Sequence, residues 1–350
     1  VRGLVPFFGA LTCTLLVGHF VLPTTADEVY RPGLTPKLEA LADDPTFYDI
    51  AFVGNSRVIH AVDPAVVDQV MAADGCSTRS INLGAPAMSA YEMREMMHAL
   101  ADRDVAVPTM VVTFDTVHLT TGLAQDFSQR NRTAASWSDL WWAPQYREEL
   151  PEPPYGSSTE SSYDVAAGIL AAQIPMSAAY RRLFPDHGPG DDASAIDRLW
   201  ADSPQHGGYV SLDDLPAAEL GALHDERDAF VAAGGLDAMW DTAPPPADQV
   251  DRWVRTITTY NDMVPDGSRP VHVLLPSNYS AGTAASVTTE WNSDPTRAPL
   301  LNLFDLALVP GADQPEFWAD ATHVSRQGAV AVSTALAHSL CELVLADREA

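Results

Sequence analysis

Ser56, Asp320 and His323 are the side chains whose types and settings could together perform acyl chemistry. A serine hydroxyl becomes a nucleophile when an imidazole takes its proton, and the imidazole needs a carboxylate to fix its tautomer. Asp320-Ala321-Thr322-His323 supplies that pair. Residues three apart in a turn can approach, so Asp320 can hold the Nδ1–H of His323 and leave Nε2 facing a nucleophile. Gly54-Asn55-Ser56-Arg57 supplies the nucleophile. Gly54 permits a sharp turn, from which Ser56 would emerge with its hydroxyl free and its backbone N–H aimed into the same cleft. Each motif alone also fits an ordinary polar loop, so their weight comes from where the elements put them.

Ile50 to Val53 is a short apolar run ended by Gly54, the pattern of a buried strand feeding a turn. Asp63-Pro64 suits a helix start, and that helix is expected to run to about Ala73. Ser80 to Leu83 and Thr109 to Phe114 read as further buried strands, with a capping box at Ser89 to Glu92 opening a helix between them. Such alternation is the signature of a parallel sheet covered on both faces. It lapses from about residue 120 to 248, where helical, Trp-rich and Pro-rich pieces such as 163–183 and 216–233 replace strands. A further helical piece is expected at 249–261, and the alternation resumes with a strand at Val271 to Leu275, a helix at 282–291 and a run at Leu303 to Val309. Ser325 is an expected N-cap for a last amphipathic helix reaching about Ala346. Both motifs therefore fall just past the carboxyl ends of strands, where ligands bind in doubly wound sheets.

The expected organisation is an anchor at 1–23, a polar juxtamembrane linker at 24–46, an α/β domain formed by 47–119 and 249–350, and a mostly helical insertion at 120–248. The anchor rests on Leu4 to Leu22, nineteen residues without Asp, Glu, Lys or Arg. As a helix they would span roughly 28 Å, near the thickness of a hydrocarbon core. Arg2 favours a cytoplasmic amino end and places the rest outside the cytoplasm; a cleaved signal peptide is the rival reading. With 20 basic and 47 acidic residues the formal charge is −27, which opposes nucleic acid as a partner. Three cysteines in no cluster give neither a zinc site nor a disulfide framework. A bridge between Cys76 and Cys341 outside the cytoplasm is left open by the sequence.

With these motifs in these places, the chain resembles the SGNH or GDSL-type hydrolase superfamily. The resemblance covers residues 48 to 118 and 270 to 346 and implies a three-layer α/β/α, flavodoxin-like fold with a central parallel sheet. It implies Ser56 as nucleophile, His323 as base and Asp320 as its orienter, with an oxyanion hole from the N–H groups of Ser56 and of Gly84, in Asn82-Leu83-Gly84. The family's third block usually ends in an Asn that completes this hole, whereas the strand end here reads Thr113-Phe114-Asp115-Thr116. Losing one such donor costs roughly 2.7–4 kcal/mol in a protease. The segment FVGNSRVIHAVDP after an N-terminal anchor, with DATHVSRQGA near the end, is similar to the extracytoplasmic SGNH-like proteins that work beside multi-span membrane-bound O-acyltransferases on envelope polysaccharide.

Candidate substrate-binding residues are Asn55, Arg57, Asp115, His118 and Asn278. His60 and His118 lie near strand ends, yet neither has a carboxylate spaced as favourably as His323 has. Trp137, Trp141, Trp142 and Tyr146 could stack on sugars or pack as a helical core. The expected function is a serine esterase or O-acyltransferase, with acetyl as the expected acyl group, acting on an acyl ester or envelope carbohydrate without metal or organic cofactor. The competing reading is a non-catalytic SGNH-fold carbohydrate-binding or assembly subunit.

Overall fold

The computed structural model describes residues 34–44, 47–86, 88, 93, 96–97, 100, 105, 107–114, 195–277 and 279–349. The chain divides into two compact units. One, residues 1–31, 89–95 and 121–188, lies almost wholly outside the described residues, as do the apolar run at 4–22, the aromatic cluster at 137–146 and the helix expected at 163–183. The other comprises residues 32–88, 96–120 and 189–350 and holds every element below. Among the described residues no helix is long and apolar enough to cross a membrane.

Five strands, β1 (Ile50–Val53), β2 (Ser80–Asn82), β3 (Thr109–Phe114), β4 (Arg269–Leu274) and β5 (Leu300–Asn302), form one sheet in the order β2-β1-β3-β4-β5. Every pairing is parallel, with Ile50 opposite both Ser80 and Thr109, and Val111 opposite Val271. All four residues of β1 and the last five of β3 are buried. Successive strand residues point to opposite faces, so burial without alternation means that both faces are covered. The architecture is therefore α/β in three layers around a parallel sheet.

The helices follow from local chemistry. Asp63 accepts the N–H of Ala65 ahead of Pro64, opening α3 (Pro64–Ala73), which follows α2 (Ser56–Ala61). Gly75, at φ 88°, ends α3, and the Gly75 and Cys76 N–H groups bond back to Ala72 and Met71. That turn delivers Cys76 to Cys341, to which it is disulfide-bonded. Cys341 lies on α9 (Arg326–Glu349), begun by Ser325, whose Oγ accepts the N–H of Gly328. Val67 and Met71 of α3 and Val332, Leu336 and Leu340 of α9 are all buried; side chains of this size contribute about 1.5–3 kcal/mol each.

A second helical group covers β4 and β5. Trp253, Ile257 and Tyr260 form the buried stripe of α7 (Ala247–Asn261), which follows α4 (Ala195–Asp202), α5 (Ala217–Ala232) and α6 (Gly235–Met239). Trp291 of α8 (Ala281–Asn292) is buried beside His272, with ring centroids 5.4 Å apart.

Two stretches differ from expectation. Residues 35–43, placed in a polar linker, form α1 (Thr35–Asp43), with Leu34, Lys37 and Leu41 buried. The run Leu303 to Val309 is not the last strand; Leu300–Asn302 is. The Asp305 side chain accepts the N–H of Ala307 while its carbonyl accepts those of Leu308 and Val309, which winds the apolar run into turns.

Candidate active site

Gly54 continues from β1 where a side chain would not fit: a Cβ there would lie 2.2 Å from Thr113 Oγ1 on the neighbouring strand. Thr113 Oγ1 instead donates to the Val53 carbonyl at 3.0 Å. Asn55 then caps α2, its Oδ1 accepting the Arg57 N–H at 3.0 Å, and Ser56 is the first helical residue. Arg57 to Ala61 are buried beneath it. Ser56 thus stands half-buried at the carboxyl edge of the sheet, beside the point where the chain turns from one side of β1 to the other.

His323 arrives from the loop between β5 and α9. An antiparallel bridge between Trp318 and Val324 closes that loop, and the Ala319 N–H bonds the His323 carbonyl at 2.8 Å. Within it Asp320 Oδ1 accepts the N–H groups of Thr322 and His323 at 2.6 and 2.7 Å, while Oδ2 lies 2.7 Å from His323 Nδ1. His323 Nε2 lies 2.9 Å from Ser56 Oγ. A carboxylate facing Nδ1 fixes the proton there, so Nε2 is the acceptor for the serine hydroxyl. Burial alone would raise the Asp320 carboxyl; hydrogen bonds and the charge of His323, with the two loop N–H groups, pull it down to about 2. It stays an anion beside the imidazole. The arrangement can take a proton from Ser56 and stabilise the resulting imidazolium.

The second loop departs from expectation. The Gly84 N–H, expected in the oxyanion hole, donates to Asn82 Oδ1 at 2.9 Å. An Asn side chain readily captures a buried N–H two residues on. Around it the Leu83 N–H bonds the Phe52 carbonyl and the Ala85 N–H bonds the Gly54 carbonyl. No N–H from Leu83 to Ala85 is left to meet an oxyanion. Of the two expected donors, the Ser56 N–H alone makes no hydrogen bond among the described residues, as befits the first turn of a helix.

Two side chains at the site, Asn82 and Lys37, were given no part in it from the sequence, and a third, His60, was read there only as a secondary candidate. Asn82 Nδ2 donates to the Val58 and Val62 carbonyls at 2.7 Å each, tying β2 to α2. Lys37 is fully buried, and its Nζ donates to the Gly84 carbonyl at 2.6 Å. His60, read from the sequence as a lesser alternative to His323, meets that ring edge-on at 5.1 Å. Its Nδ1 lies 2.7 Å from the Val210 carbonyl and so carries the proton. Burial first, then the nearby His323, pushes His60 down to about 3, so it is neutral beneath the base. The spacing of Ser56 and His60, one helical turn apart, was the available signal for His60. Nothing in the sequence around Lys37 announces its partner, and for Asn82 only the bond to the Gly84 N–H, two residues on, was open to a local reading.

Asp115, His118 and Asn278 lie outside the described residues, and Arg57 is buried. Among the described residues no group of three or more His, Cys, Asp and Glu side chains is placed to hold a metal ion. No protein-family model matches the chain, and no curated protein matches it.

Proposed function

We propose that the protein is a serine esterase or O-acyltransferase of the SGNH type, with a flavodoxin-like sheet, acting on acyl esters of cell-envelope carbohydrate. One observation carries this reading: the continuous chain from Ser56 Oγ through His323 to Asp320, at 2.9 and 2.7 Å. Ser56 attacks the ester carbonyl, and His323 takes its proton and returns it to the leaving alcohol. The acyl group, acetyl in the simplest case, then passes from Ser56 to water or to a sugar hydroxyl, with His323 again as base. The strand order, which is that of flavodoxin-like sheets, supports the fold assignment. The Cys76–Cys341 disulfide supports an extracytoplasmic setting, since such bonds persist in oxidising compartments. Anchoring by residues 4–22 and work beside a multi-span membrane O-acyltransferase belong to the same proposal.

The second reading, a carbohydrate-binding or assembly subunit with an idle triad, is favoured by the engagement of the Gly84 N–H. A fluorophosphonate probe separates the two. Labelling of wild type that is lost in Ser56→Ala supports the enzyme. Folded wild type that takes no label supports the binding subunit.

A further inference from the structure

Lys37 is the sole lysine of the chain, and it is fully buried. Desolvation pushes its amine down to about 7, so its burial opposes the charged form. A leucine or methionine would fill the same space without that cost. In either protonation state the amine donates, and its acceptor is the Gly84 carbonyl, 2.6 Å away.

Gly84 is a junction. Its N–H is held by Asn82 Oδ1, and Asn82 Nδ2 grips the Val58 and Val62 carbonyls of the helix that Ser56 heads. A Cβ on Gly84 would lie 2.9 Å from the Ile59 nitrogen and 3.0 Å from Val58 Cβ, so the loop rests directly on that helix. The Ala85 N–H meets the Gly54 carbonyl at 3.0 Å, at the turn that presents the nucleophile. We propose that Lys37 is a positioning residue for Ser56: by fixing the Gly84 carbonyl it holds, through Gly84 and Asn82, the helix and turn that carry the nucleophile. The role rests on the reading of Ser56 as a nucleophile. Lys37 itself is aimed at a backbone carbonyl rather than at the serine, so it acts through the loop.

The test compares Lys37→Met with Leu41→Ala, a truncation of another fully buried side chain of α1, each in the full chain. Fluorophosphonate inactivation is followed to saturation in folded protein, and backbone hydrogen exchange is read at Val58, Ile59 and Gly84. K37M is expected to lower the maximal inactivation rate about tenfold, the equivalent of one net hydrogen bond, with the half-saturating probe concentration unchanged. It is also expected to speed exchange at those three amides. L41A is expected to lower stability while keeping the wild-type rate and exchange there. Wild-type labelling kinetics in K37M, or equal effects of the two variants, would overturn the proposal. Where wild type takes no label, the nucleophile reading fails, and exchange alone decides for or against the anchor. Lys37→Gln, with a donor on a shorter stem, is read in the same way if K37M does not fold.

Discussion

Asn82 accepts the N–H of Gly84 at 2.9 Å and, with the other end of the same amide, donates to the carbonyls of Val58 and Val62. One fully buried side chain therefore satisfies three backbone groups that have no water to turn to. Asn82→Ala is expected to cost about 1–3 kcal/mol for each group left unpaired. Asn82→Asp restores an acceptor for Gly84 but sets a carboxylate against two carbonyls, so it should be no more stable than the alanine variant. Urea denaturation of the three proteins checks the order; a wild-type midpoint for N82D would refute it.

Under the proposed function, Asp320 acts through the tautomer of His323. In Asp320→Asn, Oδ1 can still accept the Thr322 and His323 N–H groups, so the loop should keep its shape. Its Nδ2 would face His323 Nδ1 as a donor and drive the proton to Nε2, where it blocks transfer from Ser56. Under the proposed function, acylation of D320N should fall by about ten-thousand-fold, the loss seen for this change in a serine protease. S56A and H323A should abolish specific labelling. Probe labelling at saturating concentration measures all three, and a D320N rate within tenfold of wild type would remove Asp320 from the mechanism.

Stability should rise with pH across two windows. His60 and His272 are buried and held down to about 3, so between there and 6.5 the unfolded chain binds protons that the folded chain refuses. Asp320, ordinary when unfolded and about 2 when folded, stabilises fully above 3.8 and loses that stabilisation as the pH falls through 2. Lys37 has the same sign at higher pH: the unfolded amine holds its proton to about 10.5 and the folded one only to about 7, so folding is favoured increasingly between them. Chemical denaturation from pH 3 to 10 should show both rises. Lys37→Met should flatten the upper one and His272→Leu should reduce the lower one.

Removal of the Cys76–Cys341 bond, by reduction or by Cys341→Ser, should destabilise the fold by about 2–5 kcal/mol. Cys341 stands about 22 Å along α9 from its first residue, and the triad loop adjoins the opposite end. Reduced protein held below its melting temperature should therefore label at the oxidised rate. Thermal melts with and without reductant, paired with labelling, separate the two effects.

The parts of this molecule that a sequence can disclose are those decided within a few residues. β1 and α3 stand where an apolar tetrad, a glycine, an Asp cap and a Pro put them, and Ser325 begins α9 as a capping residue should. Asp320 and His323 meet because they share one tight turn. Contacts made across the fold left no such mark. Lys37 lies 47 positions before Gly84, and a lysine followed by Leu-Glu reads as solvated helix surface until its partner is known. The Gly84 N–H differs from expectation for a subtler reason: its position after β2 suits an oxyanion donor, but Asn82 holds it from two residues away. At β5 hydrophobicity misled, because Leu303 to Val309 is the stronger apolar run, yet Asp305 turns the chain within it.

Every residue of α2 after Ser56 is buried, and Gly54 just before it has no room for even a methyl group. Ser56 is thus mounted on ground that tolerates no remodelling: a change at Val58, Ile59 or His60 alters the interior before it alters what Ser56 meets. Under the proposed function, differences in substrate between this protein and any descendant would have to be written in segments other than α2. The position of the Ser56 hydroxyl is the fixed quantity, and under the proposed function the choice of ester is free to drift around it.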